Sequence, residues 1–258
     1  MSSKSTKSWI SIVCVAFGFA STARLFSQQA YANLRAAHIG VVGVGGVGSW
    51  AAEALCRSGV GHLTLVDMDH VAESNLNRQI QAPHSGLGAS KVQALKDRFA
   101  DIAPECVVAT VDDFVSPENV GSILKPGGPD IWIDATDDLA AKRAMVLWMK
   151  DQKRLKDLVV SGAAGGKTDP TRIQVADLSE TVQDALLSSL RYDLRKQHGF
   201  PRQGRMRIQT VFSSQPTIKS DDCDPAAKLA CAGYGSLVTI TATMGMVAAN
   251  LAMQLASK

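Results

Sequence analysis

A Rossmann-like, mostly parallel α/β sheet with helices on both faces is predicted for this chain by three observations. Ile39-Gly40-Val41-Val42 is a short apolar run suited to a buried parallel strand. Gly43-Val44-Gly45-Gly46-Val47-Gly48 follows it, and Ser49-Trp50-Ala51-Ala52-Glu53-Ala54-Leu55 then has helical composition. A second apolar run, Leu63-Thr64-Leu65-Val66, ends at Asp67, nineteen residues after Gly48. Strand, glycine turn and helix in this order aim free backbone N–H groups at a phosphate. The glycines are needed because a Cβ would block the tight turn and the close approach of a ligand. An acid at this distance is placed to bind ribose hydroxyls. A bare G-x-G-x-x-G is weak, but with these neighbours a nucleotide site outweighs a structural turn.

The kind of nucleotide is set further on. After Asp67-Met68-Asp69 come Asn75-Leu76-Asn77-Arg78-Gln79 and then Gly88-Ala89-Ser90-Lys91. A dehydrogenase needs no added cations, because its helix N-terminus already handles a pyrophosphate. An arginine and a lysine delivered to the same crevice suit a triphosphate, where charge accumulates on the leaving pyrophosphate. Taken singly, Arg78 and Lys91 read as ordinary solvated charges. Taken with the glycine turn, they suit a nucleoside triphosphate.

Residues 91–99 have the composition of an amphipathic helix, and residues 107–111 read as a strand ending at Asp112-Asp113. Ser116-Pro117-Glu118 predicts a helix start, with Ser116 as cap and Pro117 in the first turn. Pro126-Gly127-Gly128-Pro129 is a turn before the strand Ile131-Trp132-Ile133, which runs into Asp134-Ala135-Thr136-Asp137-Asp138. An acid at the end of a parallel strand faces the ligand crevice, and carboxylates there can hold Mg²⁺. The competing role for such an acid is to cap the next helix, residues 139–150. Leu158-Val159-Val160 is another buried strand, leading to Ser161-Gly162-Ala163-Ala164-Gly165-Gly166-Lys167. Small residues there leave room for an acyl group, with a plain strand exit as the equal alternative. Arg172-Ile173-Gln174-Val175 begins an antiparallel C-terminal extension.

Length and composition fit one large domain. The 258 residues are 46% hydrophobic and 20% charged, the profile of a globular protein, with net charge +3. That mild basicity permits an RNA partner without arguing for one. Five cysteines, Cys14, Cys56, Cys106, Cys223 and Cys231, are scattered with no C-x-x-C pair. This excludes a disulfide framework and a structural zinc site of that type. Lys4 and Lys7 precede residues 9–20, an uncharged run with the outline of a signal peptide. Twelve residues are too few to span a bilayer, and ATP chemistry favours the cytoplasm, so residues 1–35 are expected to form an N-terminal arm. Residues 36–258 are then a single ATP-binding domain. Residues 237–255 are uncharged but contain Thr239, Thr241, Thr243, Asn250 and Gln254. Leu237, Ile240, Met244, Val247, Leu251 and Leu255 fall at helical spacing, predicting a core helix over about 237–256 with peripheral membrane contact as the alternative.

Gly43 to Ser49, Asp67-Met68-Asp69, Asn75 to Gln79, Lys91 and Asp134-Ala135-Thr136-Asp137 together resemble the ThiF-type adenylating enzymes related to ubiquitin-activating enzyme. The likeness runs from about Thr22 to the C-terminus. Thr22-Ala23-Arg24-Leu25, the residue 162–166 loop with Asp169-Pro170-Thr171, and Cys231-Ala232-Gly233-Tyr234-Gly235 point within the family to its tRNA threonylcarbamoyladenosine dehydratase branch. The resemblance implies a ligase-type enzyme that adenylates a carboxylate and lets the acyl-adenylate close on its own substrate. It implies that ATP binds Gly43, Gly45, Gly46, Gly48, Asp67, Asp69 and Asn75. Arg78, Lys91 and Asp134 would be catalytic, Asp134 through Mg²⁺, with Asp137 or Asp138 as the helix cap. It also favours tRNA contact by the basic segment, about residues 188–210, through Arg191, Arg195, Lys196, Arg202, Arg205 and Arg207. Tyr192 and Phe200 would add stacking there.

The family further implies a homodimer, in which an arginine before the Phe of the arm reaches the partner's phosphates; here that position is Gly18, with Arg24 the nearest stand-in. A cysteine-desulfurase sulfur-acceptor partner is implied as well. Two rivals remain. One is activation of a ubiquitin-like sulfur carrier, which would use Cys223 or Cys231 as acceptor; those activators usually carry paired C-x-x-C zinc motifs that this chain lacks. The other is an NAD-dependent oxidoreductase or a non-catalytic nucleotide-binding module.

Overall fold

The computed structural model describes residues 19–218 and 234–258. The chain enters through α1 (Ala20–Ala23) and α2 (Gln28–Ala36). It then alternates through β1 (His38–Val42), α3 (Gly48–Arg57), β2 (His62–Val66), α4 (Lys91–Ile102) and β3 (Val107–Val111). The second half continues with α5 (Val120–Ile123), β4 (Ile131–Asp134), α6 (Leu139–Asp151), β5 (Leu158–Ser161) and β6 (Ile173–Asp177). It closes with α7 (Ala185–Gln197), β7 (Gln209–Ser213) and α8 (Val238–Ala256).

The seven strands form one sheet in the order β3-β2-β1-β4-β5-β7-β6. Neighbours run parallel except for β6 against β7. Parallel strands need helical crossovers, so helices cover both faces and the central strands are buried on each side. Alternate residues divide between two cores. Ile131 and Ile133 pack with Ile39, Val41, Leu63 and Leu65 under α3, α4 and α8. Trp132, Val42, Leu158 and Val160 pack on the opposite face under α6 and α7.

Five strand expectations hold within a residue at each end, and the residue 172–175 expectation becomes β6, antiparallel to β7 as anticipated. The helix expected at Ser116 starts later, at Val120. Ser116 instead closes a turn: its Oγ accepts from Glu118 N at 3.2 Å, and Asn119 Oδ1 accepts from Ser116 N at 2.7 Å. Neither α7 nor β7 was foreseen.

The residue 237–256 expectation becomes α8, which packs along α3 with Ile240, Thr241, Met244, Gly245, Ala248, Ala249, Leu251 and Ala252 buried. It is the one helix among the described residues long and apolar enough to cross a membrane, and here its small residues serve a core contact. Val247 and Leu255 lie at the edge of that contact and Leu237 is exposed, because the packing stripe runs through the alanines. Of the N-terminal arm, Phe19 lies against Gly59 and under the Arg35 guanidinium; Cys14 and Gly18 lie outside the described residues.

A Cβ at Gly245 would run into Val47 O and come within 2.9 Å of Ala51 N on α3. Gly245→Ala is therefore expected to destabilise the fold by about 1–3 kcal/mol, the range for overpacking a close-packed contact. Urea unfolding of the two proteins checks it; equal midpoints would contradict this packing.

Candidate functional site

A cavity of about 740 Å³ opens at the C-terminal ends of β1 and β4, where the strand order reverses. Helices after neighbouring strands lie on opposite faces at such a point, so the connecting loops part and leave a crevice. The glycine turn leaves β1 and forms one wall. Gly43 has φ 79°, and a Cβ on Gly48 would overlap the Gly43 carbonyl oxygen. No side chain caps α3; Ser49 N bonds back to Gly45 O at 3.1 Å, and the other amides of the first turn face the positive end of the helix, where an anion is favoured.

The wall is fixed from β2. Asp67 Oδ2 accepts from Val44 N at 2.8 Å and Oδ1 from Asp69 N at 2.9 Å. Burial pushes the Asp67 carboxyl above its ordinary range, against those two N–H bonds and the charge of Lys91. Gln81 Nε2 donates to Val44 O at 2.8 Å and to Gln79 Oε1 at 3.1 Å, so the turn is held on both sides. Asn75 is buried on the same wall, its Oδ1 accepting from Ala72 N at 3.0 Å.

Both expected cations reach this cavity. Lys91, at the start of α4, is nearly buried and lies 2.7 Å from Asp69 Oδ2. Arg78 Nη1 donates to Ser74 O at 2.6 Å and to Asn77 Oδ1 at 2.9 Å. Those bonds use one nitrogen of a five-donor group, and among the described residues the rest are uncommitted. Trp50 Nε1 pins the Arg78 backbone by donating to its carbonyl at 3.0 Å.

Asp134 requires a correction. It is fully buried, does not line the cavity, and pairs with the equally buried Lys142 at 3.1 Å. Thr136 adds N–H and Oγ1–H donors to the same Oδ1 at 3.1 and 2.8 Å. Its Oδ2 has no partner among the described residues, yet Lys142 already balances the charge a metal would meet. Asp138 is the cap of α6, accepting from Ala140 N and Ala141 N at 3.2 and 3.1 Å. Asp137 and Asp138 are both exposed on the cavity wall, and with Asp138 engaged as the cap, Asp137 is the acid of this stretch without a hydrogen-bond partner among the described residues.

The opposite wall carries Gly162, Ala163, Ala164 and Gly165. Behind them stand two ionisable groups that sequence reasoning missed, Lys167 and Asp184. Lys167 is buried, and that burial lowers its ammonium below the ordinary range. Asp184 belongs to the unforeseen N-terminus of α7, so no signal short of finding that helix would have located it. Gln79 and Asp137 were already inside the quoted motifs, and only their orientation was hidden.

The basic segment divides. Arg191 is committed to the fold: its Nη1 donates to Leu178 O, Thr181 O and Thr181 Oγ1 at 3.1, 2.9 and 2.7 Å. Arg195 is likewise turned to Pro201 O at 3.1 Å. Phe200 is buried beneath Lys150 and cannot stack on a base. Lys196, Arg202, Arg205 and Arg207 are exposed, as is Tyr192. Tyr192 and Lys196 lie on the C-terminal half of α7, and Arg202, Arg205 and Arg207 lie in the connection from α7 to β7. Arg24 is exposed and does not line the cavity; Cys223 and Cys231 lie outside the described residues.

A model of the ThiF family matches residues 19–258. The tRNA threonylcarbamoyladenosine dehydratase of Haemophilus influenzae is 43% identical over 238 residues, covering 90% of each chain. The Escherichia coli enzyme of that name is 41% identical over 92% of each. A crystal structure of the E. coli enzyme in complex with ATP superposes with a TM-score of 0.84, covering 93% of this chain and 94% of that one. A second, in complex with AMP, gives the same score.

Breaking a buried ion pair leaves an uncompensated charge, so Lys142→Met is expected to cost about 3–5 kcal/mol of stability. Denaturant unfolding measures this. A loss of Mg²⁺-ATP affinity in Asp134→Asn without any loss of stability would restore Asp134 as a ligand-binding acid.

Proposed function

The chain belongs to the ThiF family, and from that membership we propose that it dehydrates threonylcarbamoyladenosine in tRNA through a carboxyl-adenylate. One observation carries this. A single cavity brings the glycine turn, Asp67, Arg78 and Lys91 to one wall and the small-residue loop of residues 162–165 to the other. Nucleotide phosphates fit the first wall and an acyl group the second. The relatives of that name, matched over nine-tenths of their length, support the substrate class.

In this reading the α3 N-terminus and the turn amides hold the phosphates, and Asp67 receives the ribose. The substrate carboxylate attacks the α-phosphorus from the side of Gly162 and Ala163. Arg78 and Lys91 stabilise the charge that grows on the departing pyrophosphate. A dehydrogenase would have no use for these two cations in its crevice. The acyl-adenylate then closes on its own ureido group, which is already in place, so proximity lowers the barrier.

The residues fit Mg²⁺ carried in with ATP. No group of three metal-ligating side chains exists among the described residues, and Asp137 offers one reachable carboxylate. One carboxylate with phosphate oxygens and water is the usual set for this ion, which offsets phosphate charge when bound. The exposed Lys196, Arg202, Arg205 and Arg207 are proposed to hold the tRNA backbone. We further propose that the enzyme works in the cytoplasm as a homodimer.

AMP and pyrophosphate release from ATP tests the reaction, with tRNA carrying threonylcarbamoyladenosine and with unmodified tRNA. Release is expected with the modified tRNA alone, slowed about 10²–10³-fold in Lys91→Ala and in Arg78→Ala. Equal release with both tRNAs, or none with either, would sink the proposal.

A further inference from the structure

Ring closure removes a proton, and one buried carboxylate on the cavity wall has no part in the steps above. Asp184 is only 6% exposed yet lines the cavity beside Gly162 and Ala163. Its Oδ2 accepts from Ala163 N and its Oδ1 from Leu187 N, both at 2.9 Å. Each carboxylate oxygen has two lone-pair directions, so acceptor capacity remains on both.

The Leu187 bond caps α7, but capping does not explain the burial. Asp138 caps α6 while exposed. A Cβ on Gly162 would overlap Asp184 Oδ2, so the loop at 162 gives up its side chain to let the carboxylate reach the acyl wall. The residue before it, Gln183, is held at φ 56°, a left-handed backbone uncommon for a residue with a side chain. Such strain persists only where the surroundings over-determine it. Here they do: Lys167 Nζ donates to Gln183 O at 2.9 Å and also to Gln215 O. Burial raises the Asp184 carboxyl above its ordinary range, opposed by its two N–H bonds and by the charges of Lys142 and Lys167. A carboxylate of raised basicity, fixed beside an acyl pocket, is suited to proton transfer.

We infer that Asp184 accepts the ureido proton when the acyl-adenylate closes its ring. The ureido group bonds to the acyl carbon. The bond from that carbon to the phosphate oxygen breaks, and AMP leaves with its electron pair. A ureido N–H proton passes to the Asp184 carboxylate and from there to solvent. Acyl-adenylate thus gives cyclised nucleoside, AMP and one proton, with no change of oxidation state. The inference rests on the dehydratase reading.

The test uses the full chain, ATP and tRNA carrying threonylcarbamoyladenosine, and separates the two steps. Isotope exchange between pyrophosphate and ATP reports adenylation, and mass spectrometry of digested tRNA reports ring closure. Asp184→Asn is nearly isosteric, while Asp184→Ser keeps a good capping oxygen for α7. Both are expected to retain tRNA-dependent exchange while cyclised product falls by about 10²–10⁴-fold, the usual worth of a general base. Hydroxylamine should then trap the stalled adenylate as a hydroxamate. Retained exchange with undiminished product in either variant would overturn the inference alone. Exchange lost in step with product in both variants would also overturn it, placing Asp184 in the fold or the first step. Absence of tRNA-dependent exchange in the wild type would overturn the dehydratase reading itself, and the inference with it.

Discussion

The buried ion pair between Lys142 and Asp134 is the constraint from which the site hangs. Lys142 reaches from α6 to the ends of two neighbouring strands, donating to Asp134 Oδ1 on β4 and to Ser161 O on β5 at 2.7 Å. Both strands turn into cavity loops at those residues: β4 into Thr136 and Asp137, β5 into Gly162 and Ala163. One ammonium thus sets the spacing between the stretch that presents a free carboxylate and the stretch that forms the acyl wall. A pair this deep gains little net stability, because both charges lose their water. What it does supply is a fixed geometry, since neither charge can tolerate being parted from the other.

From that anchor the cavity divides by chemistry. The β1–β2 side is built to meet phosphate, with uncapped helix amides, a buried Asp67 that braces Val44, and two cations tethered by Asp69 and Ser74. The β5–α7 side is built to meet an acyl group, with four small residues lining it and one carboxylate behind them. Helix α7 ties this second half to the exposed basic residues. Its N-cap, Asp184, faces the reacting end, and its C-terminal half carries Lys196 out to solvent.

Much of this was legible in the chain itself, for a physical reason. A strand, a glycine turn and a helix within twenty residues obey local rules: apolar period, missing Cβ, helix composition. So β1, α3 and β2 could be placed, along with Gly43, Gly48, Asp67, Arg78 and Lys91. The helix α8 was also legible, because its apolar residues recur every three to four positions. By contrast α7 carries Arg191, Tyr192, Arg195 and Lys196, and its charge concealed a helix whose Leu187, Leu190 and Leu194 are fully buried. Strand β7 has only Val211 and Phe212 as a signal, too short to separate from a loop.

The sequence by itself determined an α/β fold with a glycine turn after its first strand, and it named residues that the structure brings to one cavity wall, since those follow from contacts within a short span. Only the tertiary structure decided between acids that look alike in one dimension. Asp134 and Asp137 stand three residues apart, and what separates them is Lys142, which arrives from the next helix to claim the first. Arg191 and Arg202 belong to one basic run, and only the Thr181 loop, which folds over the former, removes it from the surface. Asp184 gains its place because Gly162, twenty-two residues earlier, leaves a gap for it. Burial and charge partners come from distant segments, and it is they that turn a residue type into a role.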